Sequence, residues 1–461
     1  MKTIKYFILA MGLSLGLSAQ SDMLLYNFNA IPQSLHTNPA MPQQTKVWIG
    51  LPAVSGFSFH YHNSGFSLVD IFEKGTDVNT NLENLSNRLN DQSQLTLNQS
   101  MDILGIGFKA GKSFISLGAT QQFDFQMDLP YQLFQILFTE AGSITNLDLN
   151  KFDLETMVRT NFYVGYQQKF LDERLTVGLR VNYIMAQSHA YIDRMNLSLK
   201  NDSTYTLRAQ SDILVRTSGP AALDNTNNLD VMSLALPDNS GIGLNLGLHY
   251  KINDKMDVSA SAIDLGTITY NSNNRDYVSN GEYEFNGVEF DLSDDDFSDN
   301  IDNLTDSLEA AFNFQEVDGR TYSRSLMNRY YAAFNYHLTP KHSFGLLFHS
   351  RRWNGDFYND YGFNYVGRWS RTFQFTAGYS MINGTMHNIG AGFDLKLGPF
   401  QLYLMSDNIF GAVDYAGLQT TNLRLGLNLT FYGRRAKKIE EQEEEKAEAE
   451  ANDQASLLFK L

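Results

Sequence analysis

The chain has 461 residues, 51 acidic against 35 basic, giving a formal charge of -16. That balance disfavours nucleic acid as a partner, because phosphates call for a positive surface. There is no cysteine, which excludes disulfides, an acylated N-terminal cysteine, thiolate metal sites and a cysteine nucleophile.

The first residues read as an export signal. Lys2 and Lys5 precede an apolar run from Tyr6 to Leu17, and Ser18-Ala19-Gln20 supplies small residues for cleavage. The run is well short of the ~20 residues that span a bilayer as a helix. Residues 1–19 are therefore set apart, and the mature chain is expected to begin at Gln20.

Residues 20–44 follow, with Leu35-His36-Thr37-Asn38-Pro39-Ala40-Met41-Pro42 in their second half. They precede the first clear strand and contain the short motif Asn38, Pro39 and Ala40.

From residue 45 to 433 the pattern has period two. Leu175, Val177, Leu179, Val181 and Tyr183 alternate with Thr176, Gly178, Arg180 and Asn182. Ile242, Leu244, Leu246, Leu248 and Tyr250 alternate with Gly243, Asn245, Gly247 and His249. Similar alternation runs from Phe373 to Met381 and from Ile389 to Lys396, and less cleanly in 104–109, 115–127, 162–166, 258–262, 330–338 and 344–348. A Gly, Asn, Arg, Gln and Thr face opposite a Leu, Val, Phe and Tyr face suits a wet lumen behind a lipid-facing wall. The load of 32 Phe and 24 Tyr suits aromatic girdles. An open edge in lipid leaves backbone groups unpaired, so the sheet must close. The fold class is thus all-β, a transmembrane antiparallel β-barrel of about 14 strands, with short loop helices. A soluble sandwich is the alternative that also alternates.

Between strands, Asn79–Asn90, Asp202–Ser240 and Asn271–Asn328 are too long for turns and read as loops. Asp291, Asp294, Asp295, Asp296, Asp299 and Asp302 crowd the last of them without the fixed Gly and terminal Glu of an EF-hand, and read as a solvated tip. A short helix capped by Asn303 is expected after it. Leu129–Phe138 and Val231–Pro237 are apolar enough to fold inward as short helices, either forming a binding surface or packing against the barrel mouth.

His60 and His62 share one strand face, and His349 precedes Arg351 and Arg352. Neither group has a catalytic signature, and both read as lumen or girdle polarity, so no enzyme, metal or cofactor is expected.

The last strand, Leu423 to Phe431, alternates without a fault. Arg424, Gly426, Leu429 and Phe431 resemble the signal that barrel-assembly machinery reads on the final strand of outer-membrane proteins, an apolar edge able to pair with the machinery's own strand. Residues 434–461 then form a tail, basic from Arg434 to Lys438 and acidic from Glu440 to Glu450. With an even strand number it lies in the periplasm, where a periplasmic protein or the cell wall is its candidate partner. Outer-membrane lipid is the partner of the wall.

The order of signal peptide, Asn38-Pro39-Ala40 and a barrel through Phe431 resembles a large group of Bacteroidota outer-membrane proteins of unknown function. More distantly, the chain is similar to the PorP/SprF and long-chain fatty acid transporter (FadL) families, which also carry Asn-Pro-Ala shortly before the barrel. The FadL resemblance implies that residues 20–44, with Asn38, Pro39 and Ala40 as their motif, form an N-terminal plug in the lumen, and that small, hydrophobic molecules pass through the barrel. The PorP/SprF resemblance implies a membrane anchor in gliding or secretion, held by periplasmic partners.

Overall fold

The computed structural model describes residues 22–64, 93–132, 146–201, 207–219, 238–284, 314–353, 355–370, 372–382, 385–410 and 420–432. The signal peptide, the Asn79–Asn90 loop, the aspartate-rich tip, the helix expected after Asn303, Val231–Pro237 and the tail lie outside them. So does Leu129–Phe138 beyond Gln132.

Twenty strands run in one antiparallel sheet: β1 (Val47–Gly50), β2 (Phe57–Asn63), β3 (Gln94–Ala110), β4 (Ser113–Asp128), β5 (Asn146–Asp148), β6 (Asp153–Phe170), β7 (Leu175–Asn201), β8 (Leu207–Ser218), β9 (Ser240–Asn253), β10 (Met256–Tyr270), β11 (Asn274–Glu284), β12 (Gln315–Asp318), β13 (Tyr322–Ser325), β14 (Arg329–Thr339), β15 (His342–Trp353), β16 (Asp356–Arg368), β17 (Phe373–Ile382), β18 (Thr385–Leu397), β19 (Phe400–Ser406) and β20 (Thr420–Phe431). β1 and β2 both pair with β3 on one side and β20 on the other, so they form one broken wall strand that closes the sheet into a 14-strand barrel.

The alternation read from the sequence fixes which face looks out. Along β9, Ile242, Leu244, Leu246 and Leu248 are exposed, Ile242 by 63%, while Gly243, Asn245, Gly247 and His249 are buried. A soluble sandwich would bury the apolar face. Here the apolar face is the outer one on strand after strand, which matches a lipid surround. Tyr250, Tyr336, Trp369, Phe400 and Phe431 stand exposed at one end, where the turns between strands are short. Gly111 and Gly398 take φ of +62° and +64° in two of those turns, a conformation open to glycine at little cost.

The other end carries the long connections, and here the expected loops are corrected. Asp202–Ser240 contains β8, and Asn271–Asn328 contains β11, β12 and β13. The cause is β7, which at 27 residues is nearly twice the length of β9. Its first part pairs with β9 and its second part with β8, and β8 pairs with β11, so the sheet continues beyond the wall. Strands there need no apolar outer face, and the period-two signal is correspondingly weak.

The broken strand is the main irregularity of the wall. Pro52 cannot donate to a ladder, and Ala53 adopts a φ of +61°. The break nonetheless stays bonded on both sides, Gly56 O accepting from Asp102 N and Val54 O from Leu427 N, each at 2.8 Å.

Candidate functional site: the filled lumen

Residues 22–44 lie inside the barrel as α1 (Met23–Asn27), a 3-10 turn (Pro32–His36) and irregular chain. Nearly every residue from Asp22 to Met41 is buried. Apolar side chains fill gaps between polar wall groups: Tyr26 stacks on Tyr331 with ring centroids 5.0 Å apart, Leu25, Phe28 and Ile31 pack on Val366, Tyr403 and Met405, and Leu35 packs on Trp48 and Phe114.

Polar residues make the attachment specific, because a buried polar group without a partner is costly. The start of α1 donates two backbone bonds to Asp407, Leu24 N to Oδ1 at 2.8 Å and Met23 N to Oδ2 at 3.2 Å. Burial and the nearby Asp22 carboxylate push the Asp407 carboxyl up to about 7, against the N–H donors that pull it down. Asp22 itself pairs with Arg424 of β20. Gln33 and Asn428 exchange amide bonds at 3.0 and 3.1 Å, and Gln33 also donates to Ser55 O at 2.9 Å. Arg180 of β7 donates to His36 Nδ1 at 2.9 Å. That fixes the imidazole proton on Nε2, 3.1 Å from Asp102 of β3.

The Asn38-Pro39-Ala40 motif sits where the chain comes closest to the wall. Asn38 folds back to accept from Ala40 N at 2.8 Å and donates to the Tyr26 hydroxyl at 2.9 Å. Burial raises that phenol above its usual range. The motif lies on Gly178 of β7 and Gly247 of β9: a Cβ on Gly178 would stand 2.2 Å from Pro39 C, and one on Gly247 2.2 Å from Asn38 Oδ1. The seat continues with Gln167 Nε2 on Met41 O at 2.9 Å and Ser261 Oγ on Thr37 O at 2.6 Å.

The residues of the final strand divide between two faces. Arg424 and Gly426 face the lumen, where Gly426 leaves room for Ser55 O, 2.0 Å from the place of a Cβ. Leu429 and Phe431 face outward, Leu429 pairing with Ile49 and Phe400. His60 and His62 face inward as expected, His62 Nδ1 lying 2.8 Å from Thr420 Oγ1. His349 Nδ1 pairs with Asp360 at 2.7 Å and Arg351 is buried, while Arg352 is exposed. The sequence reading missed Asp22, Gln33, His36, Asp102 and Asp407. Of these only Asp102 had a usable signal, a carboxylate on the polar side of a strand.

The chain belongs to DUF5723, a family of unknown function. The family model spans residues 39–407, from the second residue of the motif to the aspartate that holds α1. No curated protein sequence matches the chain. Among solved structures it is similar to the TodX deltaS2S3 mutant monoaromatic hydrocarbon channel at 9% identity, over 90% of this chain and 100% of that one, with a TM-score of 0.47. It is also similar to the Ralstonia pickettii toluene transporter TbuX at 9% identity, over 90% and 99%, with a TM-score of 0.44. A Pseudomonas aeruginosa FadL homologue is similar at 9% identity, over 91% and 99%, with a TM-score of 0.41. Likenesses this distant carry no cargo or mechanism to this chain.

Proposed function

We propose that this chain is a bacterial outer-membrane barrel through which small solutes pass passively when residues 22–44 leave their seat. Short turns then face the periplasm and long connections the exterior, which puts the start of β1 and the end of β20 at the periplasmic face. The observation that carries the reading is the seat itself. A separate segment fills the lumen, and its polar attachments are hydrogen bonds and ion pairs to strands spread around the wall, including β3, β7, β10, β16 and β20. Every one of those polar attachments can be exchanged for water. Lumen-facing side chains among the described residues are largely Asn, Gln, Ser, Thr, His, Arg and Asp, which favours water-soluble over apolar cargo.

The test is conductance in planar bilayers. The intact barrel is expected to be nearly sealed, and deletion of residues 22–44 to give stepwise openings. A deletion protein that assembles, shown by a gel mobility that changes on boiling, yet leaves the bilayer sealed would end this reading.

A further inference from the structure

The long-connection mouth of the barrel holds a cavity of about 370 Å³, within the range of small-molecule sites. Arg351 of β15 reaches across to Gln94 and Thr96 of β3 and to Gln126 of β4, at 3.2 to 3.4 Å, so the β4 and β15 sides face each other there.

The two sides carry opposite charges, both open to the cavity. On β4, Asp124 lines the cavity with its side chain 24% exposed. Its Oδ1 accepts from Asn98 Nδ2 at 2.9 Å, and its Oδ2 lies 3.4 Å from Arg159, a cation that also stands 3.3 Å from Asp264, which Arg329 holds at 2.9 Å. On β15, Arg352 lines the cavity, exposed, with Phe357 under its guanidinium at 5.9 Å and no carboxylate partner among the described residues. Arg324 is a closed case by contrast, being bonded to Glu155, which also holds His189. Met157, Leu326 and Trp353 form an apolar bed in the same cavity. Gln126, 1% exposed, also lines it, and its Nε2 has no hydrogen-bond partner among the described residues.

A simple cation would answer Asp124 and meet Arg352 unfavourably, and a simple anion the reverse. An apolar solute would desolvate both and answer neither. A molecule with an ammonium at one end, a carboxylate at the other and an amide carbonyl between them answers all three polar groups. We infer that this mouth cavity binds short zwitterionic peptides, with the ammonium on Asp124, the carboxylate on Arg352, the carbonyl on Gln126 and a side chain on Met157 and Leu326. The inference deepens the solute-passage reading, and rests on it only for the onward movement of a bound peptide through the barrel.

The experiment is calorimetry on the full-length protein in lipid nanodiscs with Ala-Leu, its N-acetyl form and its C-terminal amide. Saturable binding of Ala-Leu is expected, at least tenfold weaker for each blocked form. Asp124→Asn should abolish the penalty for acetylation and Arg352→Gln the penalty for amidation. Failure of Ala-Leu to bind, or equal binding of the blocked forms, would overturn the site, and these arms need no variant to fold. Liposome flux of Ala-Leu separates the two ideas. Flux without saturable binding rejects the site and keeps passage, whereas saturable binding without flux, even after deletion of residues 22–44, keeps the site and rejects passage.

Discussion

Replacing Gly178 with alanine tests the seat where it is tightest. The new Cβ would stand 2.2 Å from Pro39 C, 2.3 Å from Pro39 O and 2.4 Å from Ala40 N. These are backbone atoms that cannot rotate aside, and ordinary carbon contacts need about 3.5 Å, so the motif must retreat by roughly 1 Å. Overpacking of this kind costs about 1 to 3 kcal/mol. The retreat also strains the bonds from Gln167 to Met41 O and from Ser261 to Thr37 O, each worth about 1 kcal/mol. The total, about 2 to 5 kcal/mol, corresponds to roughly 30-fold to a few thousandfold in the occupancy of the seat. Gly178→Ala should therefore raise open probability in planar bilayers and expose residues 22–44 to added protease. Gly247→Ala should do the same, since its Cβ would meet Asn38 Oδ1 and Ala40 N. Gly243→Ala on the same strand should do much less, because its neighbours at 3.2 and 3.3 Å are the side-chain ends of Leu326 and Ile184. Wild-type conductance and protease resistance in an assembled Gly178→Ala protein would refute the close approach.

The Asp407 carboxyl gives a pH dependence. Its value in the seat, about 7, is above the ordinary 3.8, so the seated state holds a proton that the released state gives up. Seating should weaken as the pH rises from about 4 to 7 and level off above, losing at most roughly 1.4 kcal/mol for each pH unit crossed. Asp407→Asn should flatten a protease-protection curve measured across that range. Asp22→Asn removes the carboxylate that holds the buried Arg424 and should destabilise the seat by about 3 to 5 kcal/mol, measured as protection of the segment; Arg424→Gln should cost less, because Arg329 also stands 4.0 Å from Asp22. The double variant should cost clearly less than the sum, and strict additivity would show that the pair does not interact. Replacing Leu429 and Phe431 with Asp puts charge on the outer face of the last strand, a penalty of up to a few kcal/mol by depth. Assembly should fail, and normal surface levels would show that these positions are not read during insertion.

The wall was legible because its physics is local. Alternation in Leu175–Tyr183 and Ile242–Tyr250 marks an outer apolar face and an inner polar one without reference to any distant residue. Two kinds of feature were not. β8 and β11 depend on the excess length of β7, a property of the pairing rather than of their own sequence. The seat depends on partners far apart in the chain: Gln33 meets Asn428, His36 meets Arg180, and Asp407 receives α1. The Asn38-Pro39-Ala40 motif could be noticed, but nothing near it in sequence points to Gly178 or Gly247.

The polar inner face read as a wet lumen, yet at the level of residues 22–44 it is desolvated and paired with protein. The difference matters for release. Arg424, Asn428, Asn364 and Ser261 bind the segment through hydrogen bonds that each nets only about 1 kcal/mol against water, or somewhat more where charged. When the segment leaves, water can take every one of those places, so no polar group is stranded. A lumen lined with Leu and Phe would hold a plug mainly by burial, at roughly 25 cal/mol per Å², and would expose an apolar bore on opening. The polar lining therefore gives this barrel both a specific seat and an open state that water can fill. Apolar lining at Asn428 and Ser261, by Asn428→Leu with Ser261→Val, should make conductance low even when residues 22–44 are deleted, and unchanged conductance would show that wetting of the bore is not what the polar face provides.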